Sequence, residues 1–183
     1  RVLAAGRPAG PRATAEAVTL RGRPGAVVEG SGEGSTLRIV APGVTVERLR
    51  ITGSGLSLEG MDAGVFVSKK GTGARIIGNR IVDNLYGVHL KGSANAVVKD
   101  NEIVGRRALR VTARGNGVSL WHAPGAVVDG NRLRSAPRRA SVPPPHPHRF
   151  PPNRSRDLAI AAHYTHAHPS PLPGHRAPRP PPA

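Results

Sequence analysis

The sequence predicts an all-β protein, a parallel β-helix of four to five coils of about 22 residues each, and three observations lead there. First, Ala74-Arg75-Ile76-Ile77-Gly78-Asn79-Arg80-Ile81 returns 22 residues later as Ala96-Val97-Val98-Lys99-Asp100-Asn101-Glu102-Ile103, and again as Ala126-Val127-Val128-Asp129-Gly130-Asn131-Arg132-Leu133. Second, Gly64-Val65-Phe66-Val67, Gly87-Val88-His89-Leu90 and Gly117-Val118-Ser119-Leu120 form a companion series. Third, the β-branched runs are broken by Gly, Asn and Asp at intervals too short for helices and too regular for loops. Short strands repeating at this period build the coils of a solenoid.

The elements follow in order. Residues 1–16 are Ala, Gly, Pro and Arg without periodicity, and are expected to be disordered or an incomplete N-terminal start. The β-helix domain is placed at 17–134. Strand pattern begins at Ala17-Val18-Thr19-Leu20, turns at Arg23-Pro24-Gly25, and resumes at Ala26-Val27-Val28-Glu29. Leu37 and Ile39, then Val44 and Val46 after the Ala41-Pro42-Gly43 turn, alternate with polar residues, which puts one face inward and the charges outward. Asn79, Asn101 and Asn131 hold one position in successive coils, and are read as a stacked ladder with no chemistry of its own.

Coil length varies at one address. Ile51 to Gly64 spans 13 residues, Ile81 to Gly87 six, and Ile103 to Gly117 14, so two insertions leave the same corner two coils apart. Insertions at one corner project from one face. With coils stacked about 4.8 Å apart, the loops 53–62 and 106–116 are expected about 10 Å apart, as a clamp whose floor is the short corner 82–86.

From Ser135 the repeat stops. Fourteen of 19 prolines and six of eight histidines follow Arg134, whereas 22 of 23 glycines precede it. The segment 135–183 is therefore read as a Pro/Arg/His-rich tail, disordered or translated out of frame. Its His146, His148, His163, His166, His168 and His175 offer only weak and unselective metal binding. A stack ending at Leu133 would also leave an apolar end open, which predicts marginal stability.

The net charge of +16 raises nucleic acid as a partner. However, 17 Lys/Arg against nine acids in 17–134 and seven Arg against Asp157 in the tail spread the basicity over the chain. Two Phe, two Tyr and one Trp leave little for base stacking, and no nucleic-acid partner is expected. No cysteine means no disulfide, no thiolate site and no Cys nucleophile. No apolar run approaches the ~20 residues of a membrane span, and the start lacks the apolar stretch of a secretory signal. A first residue of Arg rather than Met suggests a piece whose export signal is missing.

The corner between the insertions gathers the candidate binding face: Glu59, Asp62, Asp83, Asn84, Tyr86, Arg106, Arg114 and Asn116. Acids and a base along a β-helix groove suit proton transfer on acidic polysaccharide, the alternative reading of a secreted carbohydrate-binding or polysaccharide-cleaving protein. A plainer account pairs Asp62, Asp83 and Arg114 to fasten the loops, and no catalytic residue is assigned. On the companion strand, inward Val65/Val67, Val88/Leu90 and Val118/Leu120 leave Phe66, His89 and Ser119 pointing out in a column. Met61, His89 and His122 are the soft or borderline ligands that could share this face, and they suit copper by ligand type.

Met61-Asp62-Ala63-Gly64-Val65-Phe66-Val67, Asp83-Asn84-Leu85-Tyr86-Gly87-Val88 and Arg114-Gly115-Asn116-Gly117-Val118-Ser119-Leu120-Trp121-His122-Ala123-Pro124-Gly125 make the pattern specific. Together with Ala41-Pro42-Gly43-Val44-Thr45-Val46, they resemble the NosD family of nitrous oxide reductase maturation proteins. The resemblance covers about residues 17–134. It implies a right-handed parallel β-helix of the carbohydrate-binding and sugar-hydrolase type, a periplasmic location, and an accessory role rather than catalysis. It also implies work with an ABC transporter in assembling the copper-sulfur centre of the reductase, with copper as the associated metal. It supplies no ligand motif that transfers residue by residue.

Overall fold

The structure is a computed structural model. It describes residues 17–106, 109 and 115–134, together with the strand backbone at 2–3, 12–14 and 160–163. All regular structure among these residues is strand.

Upstream lie β1 (Val2–Leu3) and β2 (Arg12–Thr14). The first full coil is β3 (Thr19–Gly22), β4 (Val27–Glu29) and β5 (Leu37–Ile39). The second is β6 (Thr45–Glu47), β7 (Arg50–Thr52) and β8 (Ala63–Val67). The third is β9 (Arg75–Ile77), β10 (Arg80–Asn84) and β11 (Tyr86–Lys91). The fourth is β12 (Val97–Lys99), β13 (Glu102–Gly105) and β14 (Val118–Trp121). Then follow β15 (Val127–Asp129), β16 (Arg132–Arg134) and β17 (Ile160–His163).

Corresponding strands of successive coils pair in parallel, giving three sheets in the orders β1-β3-β6-β9-β12-β15, β4-β7-β10-β13-β16 and β2-β5-β8-β11-β14-β17. The parallel β-helix is therefore as the repeat predicts. Strands at 2–3, 12–14 and 160–163 extend the ladders past the boundaries expected at 17 and 134. The rest of 1–16 and of the tail, including the side chains of its six histidines, lies outside the described residues.

Register converts the alternation into columns. Leu20, Val46, Ile76, Val98 and Val128 stack in the first sheet. Val28, Ile51, Ile81, Ile103 and Leu133 stack in the second. Leu37, Val65, Val88 and Val118, with Ile39, Val67, Leu90 and Leu120, stack in the third. All belong to one buried core. Each buried Val, Leu or Ile contributes about 1.5–3 kcal/mol of transfer free energy. Parallel coils place like on like, so one sequence register serves every layer.

The corner between the first and second sheets needs a left-handed residue, filled in turn by Arg48, Gly78, Asp100 and Gly130 at φ 55°, 62°, 53° and 63°. The next residue starts the asparagine ladder. Asn79 Nδ2, Asn101 Nδ2 and Asn131 Nδ2 donate to the carbonyls of Val46, Ile76 and Val98 at 2.9, 2.8 and 2.7 Å. All three side chains are buried, and their Oδ1 atoms accept from the turn N–H groups of Leu49, Asn79 and Asn101, which would otherwise lack a partner in the sheets.

Candidate functional site

At the corner between the second and third sheets the chain builds a second polar ladder, and it absorbs one of the predicted binding residues. Asn84 is buried: its Nδ2 donates to the carbonyls of Ile51 and Val82 at 3.0 and 2.9 Å, and its Oδ1 accepts from Ser54 N at 3.0 Å. Ser54 Oγ in turn accepts from Leu85 N at 2.9 Å. Asn84 thus holds the corner closed and presents nothing to a ligand, which corrects its assignment to the binding face.

The first insertion is pinned by its own carboxylate. Asp62 Oδ2 accepts from Ser57 N at 2.9 Å, Ser57 Oγ accepts from Gly60 N at 2.8 Å, and the Asp62 carbonyl accepts from Tyr86 N at 3.0 Å. Asp62 is only 7% exposed, so it fastens the loop rather than facing solvent. Glu59 stays exposed at the tip, and so do Leu56 and Leu58, at 53% and 42%. The two leucines were not singled out from the sequence, although two large apolar residues in a Gly/Ser loop were the available signal.

The acid-base pair that forms here joins Asp83 to Arg106, with Nε to Oδ1 at 3.1 Å, across the short corner to the root of the second insertion. Asp62 takes no part in it, and Arg114 lies outside the described residues. Asn116 is half-buried where that insertion returns, its carbonyl accepting from Gly87 N at 3.1 Å. Asp62 thus holds its loop, while Asp83, its side chain 61% exposed, pairs with Arg106.

The insertions do not stand apart as an open clamp. Ala63, Phe66, Leu85 and Tyr86 form a second buried cluster on the outer side of the third sheet, with Met61 from the first insertion and Leu109 from the second packed on it. The outward column is consequently covered: Phe66, His89 and Ser119 are in register, as expected, but all are buried. His89 is 1% exposed, with its ring 5.5 Å from Phe66 and 6.1 Å from Tyr86, and its Nδ1 has no hydrogen-bond partner among the described residues. Burial, and after it the charge of Lys91, lowers the His89 pKa from 6.5 to about 4. Burial also raises the Tyr86 phenol above its ordinary value. Arg38 lays its guanidinium 4.4 Å over the Phe66 ring at the cluster's edge.

The three candidate metal ligands are not brought together. Met61 precedes β8, at φ 55°, whereas His122 follows β14 on an exposed turn at φ 48°, its ring edge-on to Trp121. The parallel strands of the third sheet run between them, with His89 buried midway. No group of three or more His, Asp or Glu placed to hold a metal occurs among the described residues. Among the described residues, Met61, His89 and His122 therefore form no common copper site.

No protein-family model matches the chain. It is 41% identical over 131 residues to a Pseudomonas aeruginosa protein named as a probable ABC transporter binding protein NosD, covering 72% of this chain and 31% of that relative. It is 37% identical over 134 residues to the Stutzerimonas stutzeri protein of the same name, covering 73% of this chain and again 31% of the relative. The chain thus spans about a third of the length of these relatives.

Proposed function

Because this chain is NosD-like over 72% of its length, we propose that it is part of an accessory protein for maturing the copper-sulfur centre of nitrous oxide reductase. It acts without catalysis of its own, in the periplasm, beside an ABC transporter. Both relatives carry the ABC-transporter-binding name, and no helix among the described residues is long and apolar enough to cross a membrane. Copper, in this reading, is cargo of the wider machinery rather than an ion held by this segment.

The observation that carries the reading is the pinned projection at the insertion corner. Leu56 and Leu58 stand in solvent on a loop fixed by Asp62, and the Asp83–Arg106 pair belongs to the same corner one coil on. A preformed apolar contact with a charged rim is how a docking patch is built, since little ordering entropy is lost on binding. The test is binding of the full chain to the cognate transporter. Leu56→Ser with Leu58→Ser, and separately Arg106→Ala, should each weaken binding about ten-fold or more, the scale of a truncated interface anchor. Unchanged affinity in both variants would remove this face as the docking site.

A further inference from the structure

A different corner, between the first and second sheets, carries a cleft of about 410 Å³ lined by residues 22–27, 48–50, 78 and 80. Arg23, Arg48, Arg50 and Arg80 contribute to its wall, and no carboxylate does. Arg50 and Arg80 sit directly opposite each other on neighbouring parallel strands. Like charges so placed repel. Glu102 relieves Arg80 from the far side, with Oε2 3.3 Å from Nε, but Arg23, Arg48 and Arg50 have no carboxylate partner among the described residues.

Two backbone features sharpen the site. Arg48 occupies the left-handed corner position at φ 55°, a conformation that Gly and Asp adopt more readily and that they fill in the following coils. Strain of this kind at an exposed arginine calls for a role. Gly78, in the same position one coil on, leaves open space where its side chain would stand. The fold therefore brings four arginines to the wall of one cleft and leaves it unfilled at Gly78.

We propose that this cleft is a binding site for a small, multiply charged phosphate ligand. Four arginines and no lysine favour an oxyanion that accepts forked N–H donors in pairs. No aromatic residue lines the cleft, so the anion itself is recognised rather than a base or sugar ring. The volume suits a small molecule, not a protein surface. The phosphate arrives either free in solution or as the phosphomonoester of a lipid headgroup, and both present a multiply charged oxyanion.

The test uses the full chain with pyrophosphate as probe, at ionic strength held constant with sodium chloride. Calorimetry and thermal unfolding should show saturable binding that raises the midpoint. Arg50→Gln and Gly78→Asp should each weaken binding ten-fold or more, while Lys70→Gln, on an exposed turn outside the cleft, leaves it unchanged. Without pyrophosphate, Arg50→Gln should unfold no earlier than the parent, because it removes the facing like charge. Asp is accepted at Gly78, because Asp100 adopts the same left-handed geometry at φ 53°. Phosphatidic acid vesicles, whose headgroup is a phosphomonoester, separate the sources: binding competed by pyrophosphate assigns the lipid headgroup, and pyrophosphate binding without vesicle binding assigns a soluble anion. A pyrophosphate effect no larger than that of added chloride, or one equal in the parent and both cleft variants, would overturn the proposal.

Discussion

A single oxygen of Asn101, Oδ1, accepts from both the backbone N and the Nδ2 of Asn79, at 2.9 and 3.0 Å. Asn131 Oδ1 receives the same two bonds from Asn101, at 3.0 and 2.9 Å. Each asparagine thus completes the coil before it. Asn101→Ala would orphan two N–H donors of Asn79, away from water, and remove one bond to the carbonyl of Ile76. The expected loss is about 2–4 kcal/mol by urea titration, from ~1–3 kcal/mol per unsatisfied buried group with partial relaxation. A loss under about 0.5 kcal/mol would mean the ladder is not what holds the corner.

His89 makes stability depend on pH in a stated direction. Its pKa in the folded chain, about 4, lies below the ordinary 6.5, so between these values the unfolded chain binds more protons. The contribution of neutral His89 is complete above pH 6.5 and is lost as pH falls toward 4, about 3 kcal/mol in all at 1.36 kcal/mol per unit. Phe66 and Tyr86 pack on the ring and supply no negative charge near neutral pH, while Lys91 adds a positive one. Unfolding free energies at pH 7.5 and 4.5 should converge for a His89→Phe variant relative to the parent. Equal slopes would show that the ring is hydrated.

Neighbouring isoleucines test which side of the sheet is the core. Ile76 is fully buried between Val46 and Val98, whereas Ile77 is half-exposed beside Glu47 and Lys99. Ile76→Ala should cost about 2–5 kcal/mol and Ile77→Ala clearly less. Equal costs would require the register to shift by one residue.

Gly87 shows where a missing side chain is required by its neighbour. A Cβ there would lie 2.3 Å from the Gly117 carbonyl oxygen and 2.4 Å from Ile103 Cγ2. Gly87→Ala should therefore destabilise by about 3 kcal/mol or more, or prevent folding to a soluble species. A normal melting curve for that variant would contradict the close approach of β11 to the next coil.

The coils, their register and the asparagine ladder were legible because a parallel solenoid repeats each environment, so residues such as Ile51, Ile81 and Ile103 declare the same position three times. The insertions repeat nothing. Period-two alternation reveals which side of its own strand His89 occupies, but not that Met61 and Leu109 pack with Phe66 and Tyr86 on the outer side. Asn84 read as a ligand residue because its corner partners, Ser54 and Thr36, come from other coils with different spacing. The arginine column was visible in principle: Arg50 and Arg80 each precede the stacked isoleucine, and the alignment of coils places them side by side.

The corner that varies in length does so without disturbing what it joins. Ile51, Ile81 and Ile103 remain in one column although the stretches that leave them run to 13, six and 14 residues before the next glycine. Hydrogen bonds within the sheets fix the coils to each other, so the loop between them is free to differ from layer to layer. The β-helix here behaves as a rack of interchangeable slots.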